Sequence, residues 1–191
     1  MLRGAVPHNR HATFDLDAVV LPIFVIKDYQ RGVKQTIRTE VRLGIIADTH
    51  VGSIDDVPLS IKKAMSHLDL IVHAGDFVRK EVLDGLGAIG QVKAVCGNMD
   101  SAELKAVLPE REEFEVNGRK IGLIHGWGSP KGIAERMKNE FSGVDIIIFG
   151  HSHQPCNQYI QGVLLFNPGE AINSFGLLTI DDQVKARILK S

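Results

Sequence analysis

From residue 41 onward, apolar positions fall into two kinds of segment that alternate along the chain. Short, nearly unbroken apolar runs occupy residues 42–47, 70–74, 92–96 and 144–149. Such runs suit strands covered on both faces, because a strand with one wet face would alternate apolar and polar positions. Between the first two runs, Ile61, Ala64, Met65 and Leu68 recur at three- and four-residue spacing. That period predicts a helix over 58–68, with Pro58 near its first turn. A second helix is expected over 79–89. Strand–helix–strand–helix–strand order implies a parallel sheet with right-handed crossovers. The second half reads differently. Residues 112–116 and 120–125 flank Asn117-Gly118, the signal of a hairpin with a type I′ turn. A helix over 133–141 and strands over 163–166, 176–180 and 184–189 complete the pattern. The expected class is α/β, a pair of mixed sheets with helices outside.

The first 40 residues lack any clean helical period. Their apolar stretch at 19–26 contains Pro22, which demotes it to an edge or irregular segment. They carry a net charge of +2, against −3 for the remainder. The expected organisation is therefore an extension at 1–40, whose order the sequence leaves open, and one domain at 41–191. A loosely ordered extension is preferred over an interaction arm.

Composition narrows the class. Hydrophobic residues make up 44% and charged residues 24%, as in ordinary globular proteins, which excludes a fibrous or wholly disordered chain. The net charge of −1 gives no bulk attraction to nucleic acid or to an anionic membrane. Two cysteines, Cys96 and Cys156, are too few for a disulfide framework and fit a reducing compartment. No apolar run approaches the roughly 18 residues a membrane helix needs, and no basic leader precedes residues 19–26. A cytoplasmic location is expected, with neither a membrane nor a specific nucleic acid as partner. Homo-oligomerisation is left open.

The chemistry sits where the apolar runs stop. Ligands of open α/β sheets bind at the carboxyl ends of the strands. Reading each run off its end gives Asp48 and His50, then Asp76, Asn98, His125, and finally His151 and His153. All seven can ligate a metal. The pairs Asp48/His50 and His151/His153 are spaced i, i+2, which in extended chain would turn both side chains to one side. Glycines at 75, 97, 126 and 150 adjoin the ligands and would permit close backbone approach. Nitrogen and carboxylate donors without thiolates suit Zn, Mn, Fe, Ni or Co rather than a cysteine-type structural zinc. Seven donors exceed one tetrahedral ion and are about right for two ions sharing a carboxylate, a recurring device of phosphoester hydrolysis. Any one of these residues taken alone is more simply a hydrogen-bonded histidine or a helix-capping aspartate. The set of seven at five strand ends carries the argument. His73, inside an expected strand, is assigned to the core or to a supporting position, and His8, His11 and His67 to the surface.

The blocks Asp48-Thr49-His50, Gly75-Asp76, Gly97-Asn98-Met99-Asp100, His125-Gly126 and Gly150-His151-Ser152-His153 resemble the five motifs of the calcineurin-like metallophosphoesterase superfamily. The short chain and the wording of the blocks most resemble its small bacterial and archaeal YfcE-type phosphodiesterase branch. The resemblance implies a four-layer αββα sandwich of two mixed sheets. It also implies two divalent ions per chain, with manganese the leading candidate. On the family pattern Asp48, His50, Asp76 and His153 hold one ion, and Asp76, Asn98, His125 and His151 hold the other. Asp76 bridges, and a bridging hydroxide attacks the phosphorus of a small phosphoester in line. Asp76, Asn98 and His125 would position that hydroxide and the phosphate.

One departure stands out. Many members carry a histidine after the asparagine ligand, where it helps the leaving group depart. Met99 occupies that position and cannot transfer a proton. Asp100 beside it reads either as a carboxylate orienting the site or as the cap of a helix beginning at Ser101, with the cap slightly preferred. Trp127 could line the pocket mouth, and Asn167-Pro168-Gly169 resembles a turn that lies near the family's site. Lys131 and Arg79 read most simply as exposed helix-end cations. The main alternative to an enzyme is a non-catalytic scaffold on the same fold, resembling the metallophosphoesterase-like subunit of the retromer coat.

Overall fold

Alternation along the strands sets the layering. In strand β1 (Val41–Ile46) the side chains of Leu43 and Ile45 enter one buried cluster, while Ile46 enters another. In β2 (Leu70–His73), Leu70 and Val72 join the first cluster and Ile71 the second. Successive residues of a strand point to opposite faces, so a strand apolar on both faces lies between two cores. The structure, a computed structural model, describes residues 40–191. The apolar segment at 19–26, His8, His11 and the order of the extension lie outside the described residues.

The first sheet has the order β10-β9-β1-β2-β3, with β3 at Val92–Ala94, β9 at Ser174–Ile180 and β10 at Val184–Lys190. β1, β2 and β3 are parallel, and β9 and β10 add an antiparallel hairpin. The second sheet has the order β4-β5-β6-β8-β7. Here β4 (Arg111–Val116) pairs antiparallel with β5 (Arg119–Ile124). β5, β6 (Ile146–Ile148) and β8 (Val163–Asn167) are parallel, and β7 (Cys156–Ile160) closes the edge antiparallel to β8.

Three cores fill the spaces between layers. The central one joins Leu43, Ile45 and Val72 of the first sheet to Ile121, Ile148 and Phe166 of the second. A second lies under three helices, α1 (Leu59–Met65), α2 (Lys80–Ile89) and α3 (Ala102–Val107), which bury Ile61, Met65, Val82, Leu86 and Leu104. The third lies under α4 (Ile133–Glu140), whose Ile133, Ala134 and Met137 meet Ile147 and Leu165. Each large aliphatic side chain withdrawn from water contributes about 1.5–3 kcal/mol. The result is the expected helix–sheet–sheet–helix sandwich.

The expected strands and helices form within a few residues of their sequence bounds. Asn117 and Gly118 both take positive φ (49° and 76°), as a type I′ turn requires. The sequence pattern did not show β7. Its stretch Cys-Asn-Gln-Tyr-Ile is mostly solvent-exposed, so it lacks the apolar run that marks the other strands. A short 3-10 helix at Ile54–Asp56, capped by the Ser53 side chain, was also absent from the sequence reading.

Candidate metal centre

The parallel strands aim their carboxyl ends at one edge of the sandwich. Asp48 and His50 follow β1, Asp76 follows β2 and Asn98 follows β3. From the second sheet, His125 follows β5, while His151 and His153 follow β6. Backbone hydrogen bonds lock these ends together: Asp48 N donates to Gly75 O (3.0 Å), His50 N to Asp76 O (3.2 Å) and Gly150 N to His125 O (2.9 Å).

The seven side chains converge. His125 Nε2 lies 3.3 Å from Asp76 Oδ2 and 3.2 Å from Asn98 Oδ1, and His151 Nδ1 is 3.1 Å from the same Asn98 oxygen. On the other side His50 Nε2 is 3.7 Å from Asp76 Oδ2 and 3.2 Å from His153 Nε2, which is 3.6 Å from Asp48 Oδ1. Asp76 Oδ2 therefore stands between the two groups of donors. Among the described residues, two triads have ligand atoms mutually within 4.8 Å, Asp48/His50/His153 and Asp48/Asp76/His125. Asp48, Asp76 and His125 form a buried floor; Asn98 and His153 are exposed at the opening.

Hydrogen bonds decide which nitrogen of each ring faces inward. His125 Nδ1 is 2.7 Å from the carbonyl of Ala74, which can only accept. Nδ1 therefore carries a proton, and Nε2 is the nitrogen turned to the site. His151 Nε2 is 3.0 Å from the carbonyl of Gly128, so Nε2 carries a proton there and Nδ1 is the nitrogen that faces inward. In the neutral tautomers Asn98 Oδ1, His125 Nε2 and His151 Nδ1 would bring three lone pairs together, an arrangement a cation relieves; without a cation, His125 Nε2 is hydrogen-bonded to Asp76 instead. Ring nitrogens oriented by an outer carbonyl are the usual support of metal-binding histidines.

Electrostatics points the same way. Among the described residues the buried Asp48 Oδ2 has no hydrogen-bond partner, and burial pushes the carboxyl up to about 7 despite the opposing pull of His125. An orphaned buried carboxylate costs free energy that a bound cation would recover. Burial also acts to raise Asp76, but its hydrogen bond and charge contact with His125 prevail and hold it below the ordinary carboxylate value. The same pair raises His125 against its own burial. The donor set, oxygen and imidazole nitrogen around a floor with unmet negative charge, fits divalent ions.

The i, i+2 spacing does not act through the extended chain it predicts, although the pairs converge. Asp48, His50, His151 and His153 all have left-handed φ, at 52°, 49°, 66° and 57°, and so does Asp76 at 61°. Non-glycine residues there cost roughly 1–2 kcal/mol each, and such strain persists only where the surroundings over-determine it. The surroundings here are the backbone bonds between strand ends. Glycine acts where approach is closest. A Cβ on Gly97 would fall 2.1 Å from Asp76 Oδ1, and Gly75 (φ 91°) would press on the His125 ring.

The slight preference for Asp100 as a helix cap is also corrected. Ser101 caps α3, its hydroxyl accepting from Leu104 N. Asp100 is buried and accepts from the backbone N–H of Gly97 (2.7 Å), Val78 (2.7 Å) and Asp76 (3.2 Å). It ties the β2 and β3 ends together. Met99 contributes through its backbone, whose N–H donates to Asp76 Oδ1 at 2.8 Å, while its side chain is exposed.

His73 takes the supporting position expected of it and Asn167 the expected place near the site, while Thr49, Ser152 and Glu170 were not singled out in the sequence. Buried His73 accepts from Gly75 N at Nδ1 (3.1 Å), so Nε2 carries the proton toward Thr49 Oγ1 (3.3 Å). Thr49 in turn donates to Asp76 O (3.3 Å), and burial keeps His73 neutral. Buried Asn167 donates to Gly150 O (2.8 Å) and Ser152 Oγ (3.1 Å), bracing the loop that carries His151 and His153. Glu170 Oε1 lies 3.8 Å from His153 Nδ1. The Asn167-Pro168-Gly169 turn was the one sequence signal leading to Glu170.

The geometry has counterparts. A relative from Methanocaldococcus jannaschii named a probable metallophosphoesterase is 36% identical over 157 residues, covering 77% of this chain and 80% of the relative. A second protein of that organism, named a phosphodiesterase, is 29% identical over 149 residues, covering 68% of this chain and 84% of its own length. Among solved structures, Vps29 of Entamoeba histolytica complexed with Zn2+ superposes with a TM-score of 0.62 at 25% identity, over 78% of this chain and 99% of that one. The sequence profile of the calcineurin-like phosphoesterase superfamily domain matches residues 41–182, a span that contains every strand end described above. By that match and the identity to its archaeal relative, the chain belongs to the calcineurin-like phosphoesterase superfamily.

Proposed function

We propose that this protein is a metal-dependent phosphodiesterase with a dinuclear centre. The observation that carries the reading is the convergence of Asp48, His50, Asp76, Asn98, His125, His151 and His153 at the strand ends, with Asp76 Oδ2 between His50 and His125 and one buried oxygen of Asp48 left without a partner. The chemistry of two divalent ions held there would be Lewis acidity and a bridging hydroxide for in-line attack on phosphorus. Asp48, His50, Asp76 and His153 hold one ion. Asp76, Asn98, His125 and His151 hold the other, with Asp76 Oδ2 placed between the two sets. The Ala74 and Gly128 carbonyls fix the reacting tautomers of His125 and His151. Met99 N–H keeps Asp76 turned inward. The Met99 side chain offers no proton, so ester groups that depart as stable anions should be favoured; general acid help otherwise contributes roughly 100- to 10,000-fold. Manganese is the leading ion and a small phosphoester the substrate. Residues 41–191 form the catalytic domain and 1–40 an accessory extension.

The similarity to Vps29 supports a second reading, a scaffold on the same fold. Since one solved Vps29 is complexed with Zn2+, ion binding alone does not separate the two. Turnover does. Chelated protein, reloaded with Mn, Ni, Zn, Fe or Co, should hydrolyse phosphodiesters in a metal-dependent way. Metal binding without hydrolysis of any ester in a broad panel would favour the scaffold.

A further inference from the structure

A cavity of about 370 Å³ opens directly beside the candidate centre and shares Asn98 and His125 with it. Its remaining wall is of another kind. Ile124 and the uncharged thiol of Cys96, both buried, form an apolar floor, and Trp127 stands at the mouth. Lys105 and Glu110 contribute one charge of each sign. Trp127 keeps 53% of its surface exposed, an unusual display for the single tryptophan of the chain.

The indole is nonetheless held in place. The Arg136 guanidinium lies 5.5 Å from its ring centroid. The same guanidinium donates to the carbonyls of Trp127 (3.2 Å), Ser129 and Lys131 (3.0 Å), gripping the whole 127–131 loop. His151 binds that loop from the other side through the Gly128 carbonyl. A large aromatic surface left open yet pre-positioned loses little freedom when a ligand stacks on it.

Resting on the phosphoesterase reading above, we infer that this cavity is a subsite for a neutral planar aromatic group of the substrate, stacked on Trp127. The phosphoryl group would sit over Asn98 and His125, which the two spaces share. The volume suits this class, since a cavity of roughly 150 Å³ already accepts benzene. Lys105 and Glu110 offset one another, and Lys105 is engaged with the Asn98 carbonyl (2.9 Å), so the wall gives no net reward for a second charge.

The test uses ligands without a leaving group, so that recognition is separated from chemistry. Phenylphosphonate and methylphosphonate present the same phosphoryl anion and differ only in the ring. Calorimetry on the Mn-loaded full chain should show phenylphosphonate binding roughly 3- to 10-fold more tightly, the range for one aromatic contact. In Trp127→Ala the ratio should fall to within about twofold of one, and Trp127→Phe should retain most of it. Tryptophan fluorescence of the wild type should respond to phenylphosphonate and hardly to methylphosphonate. Equal affinities in the wild type, or a ratio that survives Trp127→Ala, would overturn the subsite while leaving the phosphoesterase reading intact. Failure of both phosphonates to bind, together with no ester hydrolysis, would overturn both.

Discussion

The two sheets bring different chemistry to their shared edge. The first contributes Asp48, His50, Asp76 and Asn98, and with them both carboxylates of the centre. The second contributes only imidazoles, from His125, His151 and His153. Negative charge to match a cation thus comes from one sheet, and most of the nitrogen donors from the other. Neither sheet holds a closed set. Both triads of mutually close donors take members from both sheets. The centre therefore depends on the core between the sheets, where Ile45 and Val72 share one cluster with Ile148 and Phe166. A site at such a junction is held at near-fixed distances by close packing rather than by any one loop.

Breaking the link between the sheets should have the largest effect. Asp76 Oδ2 faces His50 on its own sheet and His125 on the other. Asp76→Ala should lower turnover by roughly 1,000-fold or more, because several kcal/mol of charge stabilisation leave with the ions. Elemental analysis of the purified variant should find one ion per chain or none; two would refute the bridging assignment.

Asp48→Asn tests whether the first sheet carries unmet charge. Its carboxyl is pushed up to about 7 in the folded chain, against 3.8 ordinarily. Between those values the folded state keeps a proton that the unfolded state has lost, so the metal-free protein should lose stability as pH rises from about 4 to 7. His125, raised above 6.5, acts in the same direction as pH passes its value; Asp76, lowered, acts oppositely and only below about 3.8. Asp48→Asn should flatten this slope and stabilise the metal-free chain above pH 7 by up to ~4 kcal/mol, while weakening metal binding. Denaturant melts at pH 5 and pH 8, with and without Mn, measure both. A wild-type chain whose metal-free stability is level across that range would contradict the unpaired buried carboxylate.

A smaller change is expected at the opening. Met99 is exposed beside the donors, and its side chain cannot move a proton. In the wild type, rates should depend steeply on leaving-group pKa, aryl diesters being cleaved far faster than alkyl ones. Met99→His should speed the alkyl esters by at most about 100-fold and flatten the dependence. Similar chemical-step rates for alkyl and aryl esters in the wild type would mean that another group serves as the acid.

The smallest effect should come from residues 1–38. Every candidate ligand lies at or after Asp48, and the family match begins at residue 41. A chain beginning at Thr39 should keep its turnover number within about twofold. A well-folded truncated chain that turns over tenfold more slowly would place the extension in the active site or in an assembly that completes it.

Much of this architecture was legible because burial on both faces leaves a continuous apolar run, and Asp48, Asp76 and His125 end such runs with polar residues. β7 was not legible, since an exposed edge strand needs no apolar pattern. Asp100 was misread for a related reason: an aspartate before a helix looks like a cap, and only the neighbouring Ser101 shows the cap already taken.

By itself, then, the sequence determined which residues stand at the strand ends, because strand length, hydrophobic period and terminal polar side chains are local properties of the chain. Only the tertiary structure decided how those side chains meet. The inward nitrogen of His125 depends on the Ala74 carbonyl, 51 residues away, and that of His151 on the Gly128 carbonyl. The left-handed backbone at Asp48, His50 and Asp76 is held by backbone bonds between strand ends distant in sequence, and that at His151 by its N–H to the Asp48 carboxylate. Tautomer, strain and the stranded charge on Asp48 arise from groups that approach one another only when both sheets pack, and local pattern carries no record of them.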